Sequence, residues 1–407
     1  MLDSSTLRVD SQYDDCFGNI KAAIARLLQY CRDNNWSGFD PYDGLNSQVF
    51  ARLPFVQNKL GRLLFIQLMK RSPINLRPIM QVPRTANPKA LALFSSAVLK
   101  LSTTGMVMGD IPVGLLNRLI ELRSKAHSYF CWGYNFDWQT RTILVPKNEP
   151  NIICTTFAGN TLLDFYEKYN DTCYLEMALS AGLFLLNGLK MTRDGDGLCF
   201  SYTSLRRDQV HNANLLGAAF LARLYAVTAE ARFLAPATSA VRYSIRRQNP
   251  DGSWPYGESR TQAWIDNFHT GYNLVALTKF SRYTGNDQFC SSVAKGFHFY
   301  TNHFLTEAGM PRYYHNELYP IDAHSIAQTI VTLVELKGLD DHNLTRAISV
   351  YSWGIDNMQS SDGYFYYQRG RFVKNRISYM RWSQAWMLYA LTVLAEALNS
   401  SGVPKRA

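Results

Sequence analysis

Three histidines, His211, His269 and His324, come round at a nearly constant spacing along the chain. Each has amides or acids as neighbours: Asn212 beside the first, Asp266 and Asn267 before the second, Asp322 and Gln328 around the third. Imidazole exchanges a proton near neutral pH, so such a set reads as acid–base groups, as hydrogen-bonding supports or as metal ligands. A metal needs nitrogens converging at about 2.1 Å, which helices in separate repeats hold too far apart. No His-Glu-x-x-His or other local ligand pair assists, so neither metal nor cofactor is expected.

Tyr314, in the segment Tyr313-Tyr314-His315, and Arg381, three residues before Gln384, extend the set. An arginine that neutralises a carboxylate, with a tyrosine or histidine exchanging the proton on the adjacent carbon, suits uronate epimerases and lyases. On this reading His269, His324 and Tyr314 transfer protons, Arg381 clamps the carboxylate, and Asn267, Gln328 and Gln384 orient the substrate. A hydrolase would need two opposed carboxylates instead. Asp40, Asp43, Asp266, Asp322 and Glu258 are the candidates, although helix capping accounts equally well for several of them, and for Asn212 and Asn267. Aromatic residues stand among these polar groups: Tyr42 in the loop Trp36–Ser47, Trp132 and Trp138, Trp254 and Tyr256, and Tyr364 to Tyr367 with Tyr366 among them. Rings of this kind stack on the C–H faces of sugars while amides and acids bind the hydroxyls.

A repeat must position these residues. Gly-plus-aromatic segments begin at Gly197, Gly252, Gly309 and Gly363, again at a nearly constant spacing. Each precedes a polar stretch and an apolar helix starting near Asn212, Asn267, Asp322 and Arg381; a further start near Thr155 fits the same period. More amphipathic helices are expected at about 172–189, 230–247, 287–304 and 341–358. The first kind, such as LLGAAFLARLYAV, is apolar nearly all round and suits a helix packed on both sides. Earlier helices are expected over Asp14–Asn34, Phe55–Arg71, Pro88–Ser102 and Val113–Lys125, with a sixth inner helix among residues 48–127. The pattern predicts an all-α fold, an α/α toroid of six hairpins with short β-hairpins at the rim; an open solenoid is the alternative. One domain spans residues 1–407, with a less regular third over 1–128, clear repeats over 129–399 and a tail at 400–407. Gln248-x-x-x-Gly252-x-Trp254, echoed at Gln359 to Phe365, matches the Gln-Trp clamp of squalene-cyclase-type toroids, whose Asp-x-Asp-Asp acid is absent.

A net charge of +10, from 42 Lys and Arg against 32 Asp and Glu without long like-charge runs, favours an anionic partner. No basic cluster or zinc-knuckle spacing supports nucleic acid. Seven cysteines without a Cys-x-x-Cys pair suit reduced thiols in the cytoplasm. No stretch reaches 18 apolar residues, so no transmembrane segment is expected, and the basic surface leaves room for peripheral membrane contact.

The motifs WSGFDPYDGLNS, RSPINLRP, CWGYNFDWQTR, VHNANLLGAA, IDNFHTGYNLV, YYHNELYPIDAHS and YMRWSQAWM together resemble a prokaryotic family found in polysaccharide-biosynthesis gene clusters. Some members carry the label delta-aminolevulinic acid dehydratase; no Schiff-base lysine pair or zinc-cysteine cluster supports that chemistry here. The resemblance implies a toroid of the VpsJ type, distantly similar to the C-terminal domain of glucuronyl C5-epimerases. With the residues above, it points to a carbohydrate-active protein whose partner is an anionic glycan or sugar precursor. A glycoside hydrolase and a non-catalytic glycan-binding protein are the alternatives.

Overall fold

The computed structural model describes the backbone of residues 4–400 and the side chains from residue 16 onward. The less regular third holds α1 (Ser4–Asp33), α2 (Gln48–Ala51), α3 (Lys59–Arg71), α4 (Pro88–Thr103) and α5 (Ile111–Glu121). Four pairs follow: α6 (Ile152–Tyr169) with α7 (Thr172–Leu183), α8 (His211–Thr228) with α9 (Ala231–Ile245), α10 (Asn267–Thr284) with α11 (Cys290–Phe304), and α12 (Ala323–Glu335) with α13 (Asn343–Met358). The last helix is α14 (Trp386–Ser400), so the tail expected from residue 400 lies, apart from Ser400, outside the described residues.

Helices α4, α6, α8, α10, α12 and α14 pack side by side in that order, and α14 returns to α4. The ring is therefore closed, which excludes the open solenoid. Helices α5, α7, α9, α11 and α13 each pack outside the inner helix before them. The sixth outer position is taken by α1, which packs on α14. Among the described residues no helix is long and apolar enough to cross a membrane.

Capping sets the helix starts. Asn87 accepts from the backbone N–H groups of Lys89 and Ala90, Asn151 from Cys154, Asp266 from His269 and Asp322 from His324. Each satisfies donors that the first turn leaves unpaired. Asn212 and Asn267, expected as caps, lie inside their helices; α8 follows Val210 with no side-chain cap.

The turns that lead from outer to inner helices form one end of the ring. Of the four expected hairpins only the one at Gly197 is a ladder, β3 (Met191–Asp194) against β4 (Gly197–Phe200), after a shorter pair, β1 (Trp138–Gln139) and β2 (Leu144–Val145). Two of the others close on single bridges, Leu305 to Pro311 and Gln359 to Phe365. A three-stranded sheet, β5 (Ile321–Asp322), β6 (Gln368–Arg369) and β7 (Lys374–Asn375), completes the rim.

The Gln-Trp clamp acts between neighbouring units. Gln248 Nε2 donates to the carbonyls of Gly252 and of Ser292 on α11. Gln359 does the same toward Gly363 and Ala23 on α1, so the motif's weaker copy ties the end of the chain to its beginning. Gly252 and Gly363 have φ of +94° and +91°. A Cβ at either would also lie 2.4 Å from a carbonyl of the next outer helix, so only glycine fits both turn and contact.

Candidate active site

The inner helices begin at the same end of the ring, and their first turns carry the polar residues. Helical geometry rotates successive side chains by about 100°, so the position within that turn decides where each points. His211 and Asn267 are the first residues of α8 and α10. Both face their outer helix: His211 Nδ1 lies 3.4 Å from Ser244 Oγ on α9, and Asn267 Oδ1 accepts from Tyr300 on α11 at 2.9 Å. The Asn267 carbonyl oxygen therefore ties α10 to its neighbours, while its Nδ2 has no partner in the protein. Burial, with Arg247 nearby, lowers the His211 pKa to about 4.

That pKa has a measurable consequence. The unfolded chain takes up a proton at His211 from pH 6.5 downward, whereas the native state resists until about 4. Stability is therefore lost as pH falls through this window. His211→Asn, which places there the residue found at the equivalent position of α10, removes this contribution. Urea unfolding from pH 7 to 4 should show a shallower acid loss for the variant, the difference reaching on the order of 3 kcal/mol.

The second residues of the inner elements are Lys89, Ile153, Asn212, Phe268, His324 and Arg381, all buried. Four of them form a layer near the axis. The His324 ring stacks on Phe268 at 4.5 Å and on Trp386 at 4.7 Å, with Trp382 edge-on at 4.8 Å. Its Nε2 lies 2.6 Å from the Tyr272 hydroxyl, and Nδ1 has no partner. Burial, then the charges of Lys89 and Arg381, hold it neutral well below the usual histidine range. At 1% exposure the His324 ring lies within this buried layer. Lys89 sits with its ammonium 4.6 Å from the Phe157 ring, 5.0 Å from Trp386 and 5.3 Å from Tyr272. Burial and the nearby Arg381 lower its pKa to about 7.

Arg381 stands in a π-helical turn, Met380–Ala385, that opens α14. The expected substrate clamp is occupied: Nε and Nη2 make a bidentate pair with Asp40 at 2.5 and 2.8 Å. Asp43 pairs with the fully buried Arg77 at 2.6 Å, and its Oδ2 accepts from the Asp40 backbone N–H. Burial pushes the Asp43 carboxyl up to about 7 against the pull of Arg77. Asp40 and Asp43 thus fix the Trp36–Ser47 loop over the ring, and neither is free for substrate.

Other expected groups also serve the scaffold. Trp132 is buried, with its Nε1 donating to the Leu119 carbonyl of α5. Glu258 pairs with Arg247 at 2.5 Å. Gln384 binds both backbone groups of Phe365. Tyr366 lies against Tyr364 and Arg376. Asn212 and Gln328 differ from these: both are buried with the amide oxygen unpartnered, although Gln328 Nε2 donates to Thr332. Among the described residues no group of three or more His, Cys, Asp or Glu side chains is placed to hold a metal.

What remains at the surface is one cluster. His269 is the third residue of α10, and its Nδ1 lies 2.7 Å from Asp266 Oδ2. Trp264 Nε1 donates to the same oxygen at 3.1 Å. With Nδ1–H held by the carboxylate, Nε2 is left as the basic nitrogen, and the ring is 20% exposed. Tyr256 lies 4.5 Å from His269 and stacks on the exposed Trp264 at 4.6 Å and 12°. Tyr314 pairs through the backbone with Asp266, and burial raises its pKa, so it keeps its proton at neutral pH. Lys70 of α3 donates to the Tyr42 hydroxyl at 2.7 Å and lies 6.0 Å from the Trp382 ring. Burial opposes its charge, but Tyr42, Asp322 and Tyr314 around it raise its pKa. Asp322 accepts from Gln368, Trp382 and the His324 backbone; burial pushes its carboxyl up to about 6.

Sequence reasoning missed Lys70, Lys89 and Trp264. Lys89 was detectable, since it follows the Asn-Pro start of α4 by the same offset as His324 follows Asp322. Nothing in the spacing marks Lys70, which reaches the cluster from outside the repeat.

No family model matches the chain, and no curated protein does. Solved structures do. A cellobiose 2-epimerase from Bacillus thermoamylovorans B4167 is 9% identical, with 78% of this chain and 90% of that one covered at a TM-score of 0.60. A GH76 alpha-mannanase from Bacteroides thetaiotaomicron is 14% identical over 76% and 85%, TM-score 0.59. A polysaccharide lyase is 12% identical over 77% and 91%, TM-score 0.54. These matches establish the α/α toroid. The VpsJ and dehydratase labels find no support in them.

Proposed function

We propose that the protein is a carbohydrate-active enzyme that moves a proton at the carbon beside the carboxylate of a uronate-containing glycan, as an epimerase or lyase. The Asp266–His269 pair carries this reading: a partly exposed imidazole with one nitrogen tied to a buried acid is an oriented base. His269 Nε2 takes the carbon-bound proton, and the Lys70 ammonium offsets charge growing on the substrate carboxylate. Return of a proton from the Tyr314 hydroxyl to the opposite face gives the epimer. Departure of the oxygen on the next carbon gives the unsaturated product instead. Tyr256 and Trp264 supply a platform for the sugar ring. The anionic substrate agrees with the net charge of +10.

The toroids named as epimerases and as a lyase support this reading, and the mannanase supports hydrolysis. Hydrolysis fits less well, because the oxygens of Asp266 and Asp322 are engaged by protein donors. The test is incubation with uronate-containing polysaccharides in D₂O, followed by NMR. The expected result is deuterium at the carbon next to the carboxylate, from an epimerase, or an unsaturated end, from a lyase. New reducing ends without either change would establish a hydrolase and overturn the proposal, as would the absence of any change.

A further inference from the structure

The ring has a second open end, where the inner helices finish. There a cavity of about 500 Å³ runs into the lumen toward Phe157, Tyr272, Gln328 and Trp386. It lies on the far side of the His324 and Lys89 layer from the Asp266–His269 cluster, and no residue of that cluster lines it. We infer that this lumen is a second binding site, for a neutral sugar of about one pyranose ring.

Two independent features support it. The first is a set of unsatisfied polar groups at the deep end. Gln328 Oε1, Trp386 Nε1 and Thr156 Oγ1 belong to residues lining the cavity, each at most 2% exposed, and none has a hydrogen-bond partner in the protein. Buried polar atoms are normally paired, and leaving one unmade costs roughly 1–3 kcal/mol. One acceptor, one N–H donor and one hydroxyl beside the rings of Phe157, Tyr272 and Trp386 match a molecule with apolar faces and several hydroxyls. The volume falls within the ~300–1,000 Å³ usual for ligand pockets.

The second feature selects a neutral ligand. Lys100, Asp164, Arg223, Lys279 and Glu335 are each the thirteenth residue of their inner helix, and α14 contributes Glu396. They form three ion pairs between neighbouring helices: Arg223 with Asp164 at 2.7 Å, Lys279 with Glu335 at 3.0 Å, and Lys100 with Glu396 at 2.8 Å. The charges of this belt are mutually compensated, with Glu167 and Arg282 joining its pairs, so no counter-charge is free within it; Lys337, the remaining charged residue of the lining, stands outside the belt without an ion pair among the described residues. Paired charged groups still donate to and accept from hydroxyls, as a sugar requires.

Saturation-transfer NMR with D-glucose, D-mannose and D-galactose tests the inference, with D-glucuronate as the charged control. At least one neutral pyranose is expected to bind the wild type and His269→Ala alike. Ala219→Trp, which fills the lumen from α8, should weaken binding at least tenfold. Thr156→Val, a smaller change that deletes one unpartnered hydroxyl, should weaken it severalfold and keeps the test valid if the tryptophan does not fold. Binding unchanged in Thr156→Val, loss in His269→Ala, or no pyranose bound would overturn the proposal; the last means that the lumen holds only water. None of these outcomes depends on deuterium exchange, so this site and the proposed reaction fail separately.

Discussion

Asp40→Ala is expected to destabilise the protein by about 3–5 kcal/mol, with the midpoint of urea denaturation falling accordingly. The reason is the partner left behind. Arg381 is 4% exposed and loses both of its charge-assisted hydrogen bonds, so a cation is stranded in a layer that already holds Lys89. Removing both charges should be milder, because desolvating an ion pair costs nearly what its attraction returns. The double variant Asp40→Leu with Arg381→Met is therefore expected to recover much of the loss. If Asp40→Ala were neutral, the loop would not be held by this pair.

The largest effect on activity is expected at the Asp266–His269 pair. His269→Ala should lower kcat roughly 10²–10⁴-fold with little change in the unfolding midpoint, since the ring is partly exposed. Asp266→Asn should lower kcat by a comparable order, because an amide in place of the carboxylate no longer holds Nδ1–H and fixes the tautomer. It retains an oxygen able to cap His269, so α10 persists. Lys70→Met is expected to lower kcat as well as raise KM, because the ammonium both binds the substrate carboxylate and offsets the charge that grows on it. Steady-state kinetics on whichever glycan shows exchange would check all three. Full activity in His269→Ala would remove that residue from the mechanism while leaving the fold intact.

The sequence made the toroid readable because its cause is periodic. An inner helix must be apolar on most of its surface and an outer one on a stripe, and that contrast recurs with a steady period from Ile152 onward. Helices α7, α9, α11 and α13 lie within a few residues of expectation for the same reason. The glutamine clamps were legible too, since Gln248 and Gln359 stand at a fixed distance from a glycine turn.

Site membership was far less legible, and the histidines show why. Their nearly even spacing makes them look equivalent along the chain, yet His211, His324 and His269 occupy the first, second and third positions of their helices. One residue of offset turns a side chain by about 100°. His211 therefore faces an outer helix, His324 lies in the buried layer, and of the three only His269 is partly exposed. Partner choice was equally invisible: Arg381 and Asp40 are 341 positions apart, and Gln359 grips an α1 carbonyl 336 positions away. Composition and period by themselves determined the helices, their two layers and the apolar ring. Only the closed tertiary structure decided which charges neutralise one another and which remain for a ligand, because those pairings depend on distances across the ring.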